Sequence, residues 1–186
     1  MKNIGFGADN GVVRDGPNLH LVKAMLAAGL SQNIIIGPKK IQRGQTAGEL
    51  SFRAQKIKEV FLHPSTIAFA ARTLDSRYMC YHEIMKTSKV YVRDACSISK
   101  FSLLLFGGSL KVYQTHGVCS VDEWIRFKIS PKPATLVKYL RNSMEALLLE
   151  KIMDPKLDIT GTKLGRGVIE AVTTLLELET ECGPSK

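Results

Sequence analysis

The hydrophobic pattern settles into an unbroken helical period after Pro131 and Pro133, and that change constrains the fold more than any other feature of the 186 residues. Before it, apolar residues come mostly in short runs broken by Gly, Pro, Ser and Thr; after it they recur at helical spacing. Leu136, Val137, Leu140, Met144, Leu147 and Leu148 make one stripe, with Pro155 marking the exit. Val168, Ile169, Val172, Leu175 and Leu176 make another, on a final helix over roughly 167–180.

Ahead of the switch, residues 1–17 read as a loop or a cut edge, rich in Gly, Asp and Asn and without period. Asn18 is a good N-cap for a helix to about Ala28, with Leu19, Val22 and Leu26 on one face and Gly29 as the stop. Ile34-Ile35-Ile36 reads as a short buried strand, and residues 39–56 as a mobile polar loop. Strands are expected at Lys58–His63, Tyr78–Met85 and Lys89–Arg93, the last two joined by a tight turn at Lys86-Thr87-Ser88. Ser97 then caps a short helix ended by Gly107-Gly108, and strands follow around Leu110–Tyr113 and Trp124–Ile129. Short strands around one inserted helix fit a small Greek-key barrel, and the OB-fold is the commonest such barrel among basic proteins. The expected fold class is α+β: a small OB-fold β-barrel with an N-terminal helix, one inserted helix and two C-terminal helices.

Charge narrows the partners. Lys and Arg number 26 against 17 Asp and Glu, a net charge of +9. Such a balance favours polyanions, because each neutralised phosphate releases condensed counterions. The cations fall in three groups: Lys39, Lys40, Arg43, Arg53, Lys56 and Lys58; Lys86, Lys89 and Arg93; and Arg126, Lys128, Lys132, Lys138 and Arg141. The tail reverses sign at Glu170, Glu177, Glu179 and Glu181. No apolar run reaches the roughly 18 residues of a membrane span, and the amino terminus lacks a secretory apolar core. An intracellular chain, nuclear or cytoplasmic, is expected. The four cysteines and four histidines are scattered without ligand spacing, so no metal is expected.

Catalytic patterns are missing. No G-x-x-x-x-G-K-[ST] phosphate loop and no G-x-S-x-G elbow occurs, and the glycines at 5–7 and 161–167 lack the strand that a nucleotide fingerprint follows. His63, beside Pro64, reads as a hydrogen-bonded loop residue sooner than a general base.

One stripe carries chemistry. In Lys89-x-Tyr91-x-Arg93 the period of a strand puts two cations and a ring on one face, with Val90 and Val92 on the other. The face suits a single nucleic-acid strand, its charges tracking phosphates and its ring stacking a base. It equally suits an outer sheet face whose cations guard an edge while Tyr91 packs on a neighbour. Trp124, the only tryptophan, alternates with Arg126 and Lys128 and reads as a structural anchor sooner than a stacking platform.

Three segments, VFLHPSTI (60–67), YHEIMKTSKVYVRDACSISKFSLLLFGG (81–108) and VDEWIRFKIS (121–130), resemble the OB-fold region of DEAH/RHA-type RNA helicases. LVKYLRNSMEALLLEKIMDP (136–155) resembles the helical extension of the RNA helicase A-like members, and NLHLVKAMLAAGL (18–30) the end of the helicase-associated domain. The resemblance implies a division into 1–30, 31–132 and 133–186 as the end of that domain, the OB-fold and the extension. It implies a module that packs on the motor domains and contacts single-stranded RNA through His63, Ser65, Lys86, Thr87, Ser88 and Lys89, with Tyr91 and Arg93 as further candidates. All motor motifs are missing, so the chain is expected to be no enzyme by itself; ATP and Mg2+ would belong to the motor domains. The competing expectation is a protein-interaction module that docks a helicase core or activator in trans.

Overall fold

The fold, given by a computed structural model, is described over residues 18–38, 41–113 and 117–181, with side chains to residue 177. Lys39, Lys40 and the stretch 1–17 lie outside the described residues. Among the described residues four α-helices, α1 (Leu19–Gly29), α2 (Lys100–Phe106), α3 (Pro131–Met153) and α4 (Lys163–Glu181), accompany ten short strands. The strands are β1 (Ile34–Ile36), β2 (Arg53–Ala54), β3 (Phe61–Leu62), β4 (Tyr78–Cys80), β5 (Glu83–Lys86), β6 (Val90–Arg93), β7 (Cys96–Ser97), β8 (Leu110–Tyr113), β9 (Val118–Val121) and β10 (Ile125–Lys128). The class is mixed α+β, with helices where the period changes place them. The barrel is not closed among the described residues: the strands form three separate sheets, ordered β2-β1-β4-β7, β3-β6-β5 and β10-β9-β8.

The β1–β4 ladder is a wall between two cores. Ile34 pairs with Cys80 and Ile35 with Met79. Ile34, Tyr78 and Cys80 face one core, shared with α1, α2, α3, α4 and the β8–β10 sheet. Ile35, Met79 and Tyr81 face the other, with Phe52, Val60, Leu62 and Val92. A strand buried on both sides needs apolar residues at every position, which is why Ile34-Ile35-Ile36 shows no alternation. Burial pushes the Cys80 thiol up to about 11, so this residue packs as a small hydrophobe.

Several sequence expectations are corrected. In α1, Asn18 does cap the helix, accepting from the amides of His20 at 3.1 Å and Leu21 at 3.3 Å. The buried face, however, is that of Ala24 and Ala27; Leu19, Val22 and Leu26 point outward. Alanines let α1 approach α2 closely, and closeness outweighs side-chain size here. The stretch over 41–56 is not a plain loop, because a 3-10 turn at Ala47–Glu49 and strand β2 bury Ala47, Leu50, Phe52 and Ala54. Tyr78–Met85 splits into β4 and β5, which lie in different sheets. Ser97 belongs to β7, and the cap of α2 is Ser99, whose Oγ accepts from the Ser102 amide at 2.9 Å. Strand β9 has no counterpart among the expected elements.

The C-terminal helices bury Ala134, Val137 and Leu147 of α3 and Val168, Val172 and Leu176 of α4. Leu136, Leu148 and Ile169, placed in the expected stripes, are exposed. Arg141 is not a free surface cation: its guanidinium donates to Gly107 O at 2.7 Å and to Glu145 at 2.8 Å, holding the carbonyl end of α2.

Candidate nucleic-acid interface

Strand β6 is the middle of its sheet, hydrogen-bonded to β5 on one side and, in parallel, to β3 on the other. Register decides what shares its outer face. Leu62 sits beside Val92, and both are fully buried in the second core. Phe61 sits beside Tyr91, Met85 beside Tyr91 from the other strand, and Glu83 beside Arg93. The period of a strand therefore turns Phe61, Tyr91, Lys89 and Arg93 to one side.

The aromatic residues meet there. Tyr91 lies with its ring centroid 6.4 Å from Phe61 and 6.0 Å from the His63 ring, the latter edge-on at 86°. The Lys89 ammonium stands 4.5 Å from the Phe61 centroid, within cation–π range. This pairing fixes a long side chain over the face, with the charge still exposed.

Beyond β3 the chain turns through His63-Pro64-Ser65-Thr66 against the same strand. The His63 amide donates to Val92 O at 2.9 Å, and the Thr66 amide to His63 O at 2.8 Å. The Ser65 amide donates to His63 Nδ1 at 3.1 Å, with the Ser65 hydroxyl 2.7 Å from the same nitrogen. Nδ1 is thus the acceptor, and the ring proton sits on Nε2, away from the turn.

Arg93 is only partly engaged. Its Nη1 is 3.9 Å from Glu83 Oε2, beyond hydrogen-bond distance, and its Nε is buried without a partner. A buried donor with no acceptor is costly. Lys86, Thr87 and Ser88 form the exposed tip of the β5–β6 hairpin, closed by the Thr87 amide on Lys89 O at 2.9 Å. No acidic side chain is paired with Lys86 among the described residues.

The structure thus brings His63, Ser65, Lys89, Tyr91 and Arg93 together, with Lys86, Thr87 and Ser88 at the rim. Because β6 is central, Lys89 and Arg93 guard no edge; the packing of Tyr91 on neighbours, the other half of that reading, is present. Sequence reasoning missed Phe61. Its signal was the short VFLHPST run, whose alternation puts Phe61 opposite Leu62, but nothing local to it announces a parallel partner 30 residues on. Among the described residues, no three His, Cys, Asp or Glu side chains gather as a metal site, and no helix is long and apolar enough to cross a membrane.

Two family models match the chain. Residues 22–110 match an oligonucleotide/oligosaccharide-binding (OB)-fold, and residues 117–178 match the C-terminal domain in RNA helicases. The chain is 32% identical over 180 residues to the DExH-box ATP-dependent RNA helicase DExH1 of Arabidopsis thaliana, covering 95% of itself and 17% of that protein. It is 35% identical to the human putative ATP-dependent RNA helicase DHX57, over 86% of this chain and 13% of that protein. Human ATP-dependent RNA helicase DHX29 is 30% identical over 86% of this chain and 11% of its own length. The chain therefore spans between 11% and 17% of the length of these relatives.

Proposed function

The chain belongs to the DExH-box RNA helicases, as the OB-fold and C-terminal region of such a protein, and from that premise we propose that the outer face of the β3–β6–β5 sheet grips single-stranded RNA. The observation that carries this reading is the convergence of three rings and two cations, Phe61, His63, Tyr91, Lys89 and Arg93, on one side of a sheet whose other side is core. Lys86, Lys89 and Arg93 neutralise phosphates. The terminal guanidinium nitrogens of Arg93 and the His63 ring donate to phosphate or sugar oxygens, and Tyr91 offers a ring edge or face to a base. The hydroxyls of Thr87 and Ser88 extend the polar track past the hairpin tip. Unwinding would need ATP and Mg2+ on motor domains, against which this module would pack while holding the strand.

Fluorescence anisotropy with a labelled 12-nucleotide RNA tests the reading. Binding should be measurable at 50 mM salt and weaken steeply by 200 mM. No binding at low salt, or affinity indifferent to salt, contradicts it.

A second reading is favoured by a different observation. Leu19, Val22, Met25 and Leu26 lie on one exposed face of α1, a cluster of apolar side chains that fits protein docking. In that reading the chain docks a helicase core or activator in trans. Nuclease-resistant co-purification with such a core supports it; recovery lost on nuclease treatment contradicts it.

A further inference from the structure

A broad cleft of about 860 Å³, lined by none of the hairpin-face residues, lies where β1 and β2 meet the turn between β9 and β10. Its cations and its tryptophan come from three distant stretches of sequence: Arg53, Lys56 and Lys58 from β2 onward, Arg77 ahead of β4, and Trp124 with Arg126 at the start of β10. Their charges are not balanced locally. Five cations line the cleft, and its one acid, Glu123, is already held by Lys111 of β8. None of the five takes part in an ion pair among the described residues.

Two of these cations are held in place by rings. The Arg53 guanidinium stands 5.8 Å from the Trp124 centroid, and that of Arg77 5.7 Å from the Tyr78 centroid. Arg77 Nε is buried and has no hydrogen-bond partner. A guanidinium restrained beside a ring loses less side-chain entropy on binding than a free one. Gathering like charges in one concavity raises their mutual repulsion, which a bound polyanion removes. Ile36 and Ile57 add apolar lining that can also receive a sugar or base.

We propose that this cleft is a second phosphate-gripping site, one that takes the phosphodiester backbone of a single RNA strand. Arg53 and Arg77 offer paired donors to phosphate oxygens, while Lys56, Lys58 and Arg126 neutralise the flanking charges. The proposal rests on the reading that the chain binds RNA, and adds a place where the strand is held apart from the hairpin.

Trp124 is the only tryptophan, so its fluorescence reports on this cleft alone. The full chain is titrated with unlabelled 12-nucleotide oligouridylate, alongside anisotropy with the labelled strand. A saturable change in Trp124 emission is expected, and it should persist, at reduced affinity, in a Lys89→Ala/Arg93→Ala variant. In Lys56→Ala/Arg126→Ala, whose altered residues are exposed and whose circular dichroism should match the wild type, affinity should drop at least about five-fold. Its salt slope should also fall by about 1.4, at roughly 0.7 for each phosphate that is no longer neutralised. RNA bound by anisotropy with unmoved tryptophan emission and wild-type affinity in Lys56→Ala/Arg126→Ala overturns the cleft and leaves the hairpin reading standing. No binding by anisotropy overturns both. Poly-glutamate giving the same emission change as the RNA at equal charge and salt would assign the cleft to acidic protein and overturn the proposal.

Discussion

Strand β6 and helix α1 dispose of their side chains in opposite ways. In β6 the aliphatic residues turn inward, with Val92 fully buried, and the cations and ring turn outward. In α1 the alanines turn inward and Leu19, Val22, Met25 and Leu26 turn outward. The difference separates two kinds of surface. An outer face of Lys89, Tyr91 and Arg93 is solvated when empty and has donors to spare, so it suits a polar, charged ligand. An outer face of leucine, valine and methionine has nothing to offer a phosphate and gains by being covered.

The sharpest way to break this contrast is to exchange neighbours across β3. Leu62→Ala empties a fully buried site and should cost about 2–5 kcal/mol in urea unfolding. Phe61→Ala, one residue away on the outer face, should cost clearly less stability and weaken RNA binding instead. Equal losses of stability would mean that the outer face is a second core layer and not a binding surface.

In α1 the test runs the other way. Ala27→Leu forces a larger side chain into the packing against α2 and should destabilise the fold by about 1–3 kcal/mol, read as a lower urea midpoint. Val22→Ala, on the exposed face, should stay within about 0.5 kcal/mol of the wild type. A large effect from Val22→Ala would show that this face is already packed.

The same contrast explains what could be read from sequence. Period two assigned both faces of β6 correctly, because a strand has only two sides and valine and lysine differ sharply in burial. It also located the β5–β6 hairpin and its tip. Period 3.6 placed the helices and found the inward sides of α3 and α4 through Val137, Leu147, Val168, Val172 and Leu176, but it misassigned α1 and the margins of α3: Leu19, Leu136 and Leu148 are larger and more apolar than Ala24, Ala27 and Ala134, yet those alanines are buried. Helix faces are chosen by how near two backbones can come, which a hydrophobicity pattern does not encode. The pairing of Phe61 with Tyr91, and the gathering of Arg53, Arg77 and Trp124, depend on long-range packing that no local spacing displays. The single long strand expected over 78–85 failed for a related reason. Tyr78 to Tyr81 is apolar throughout because two cores flank it, and that run conceals the break at Tyr81-His82 where the chain leaves one sheet for another.

The central claim is that the outer face of β6 holds RNA by charge. Anisotropy with a labelled single strand, across a series of salt concentrations, compares the wild type with Lys89→Ala/Arg93→Ala. Removing two phosphate-neutralising cations should lower the slope of log affinity against log salt by about 1.4, with the thermal unfolding profile unchanged in shape. A variant that binds with the wild-type slope would show that Lys89 and Arg93 touch no phosphate, and the claim would fall.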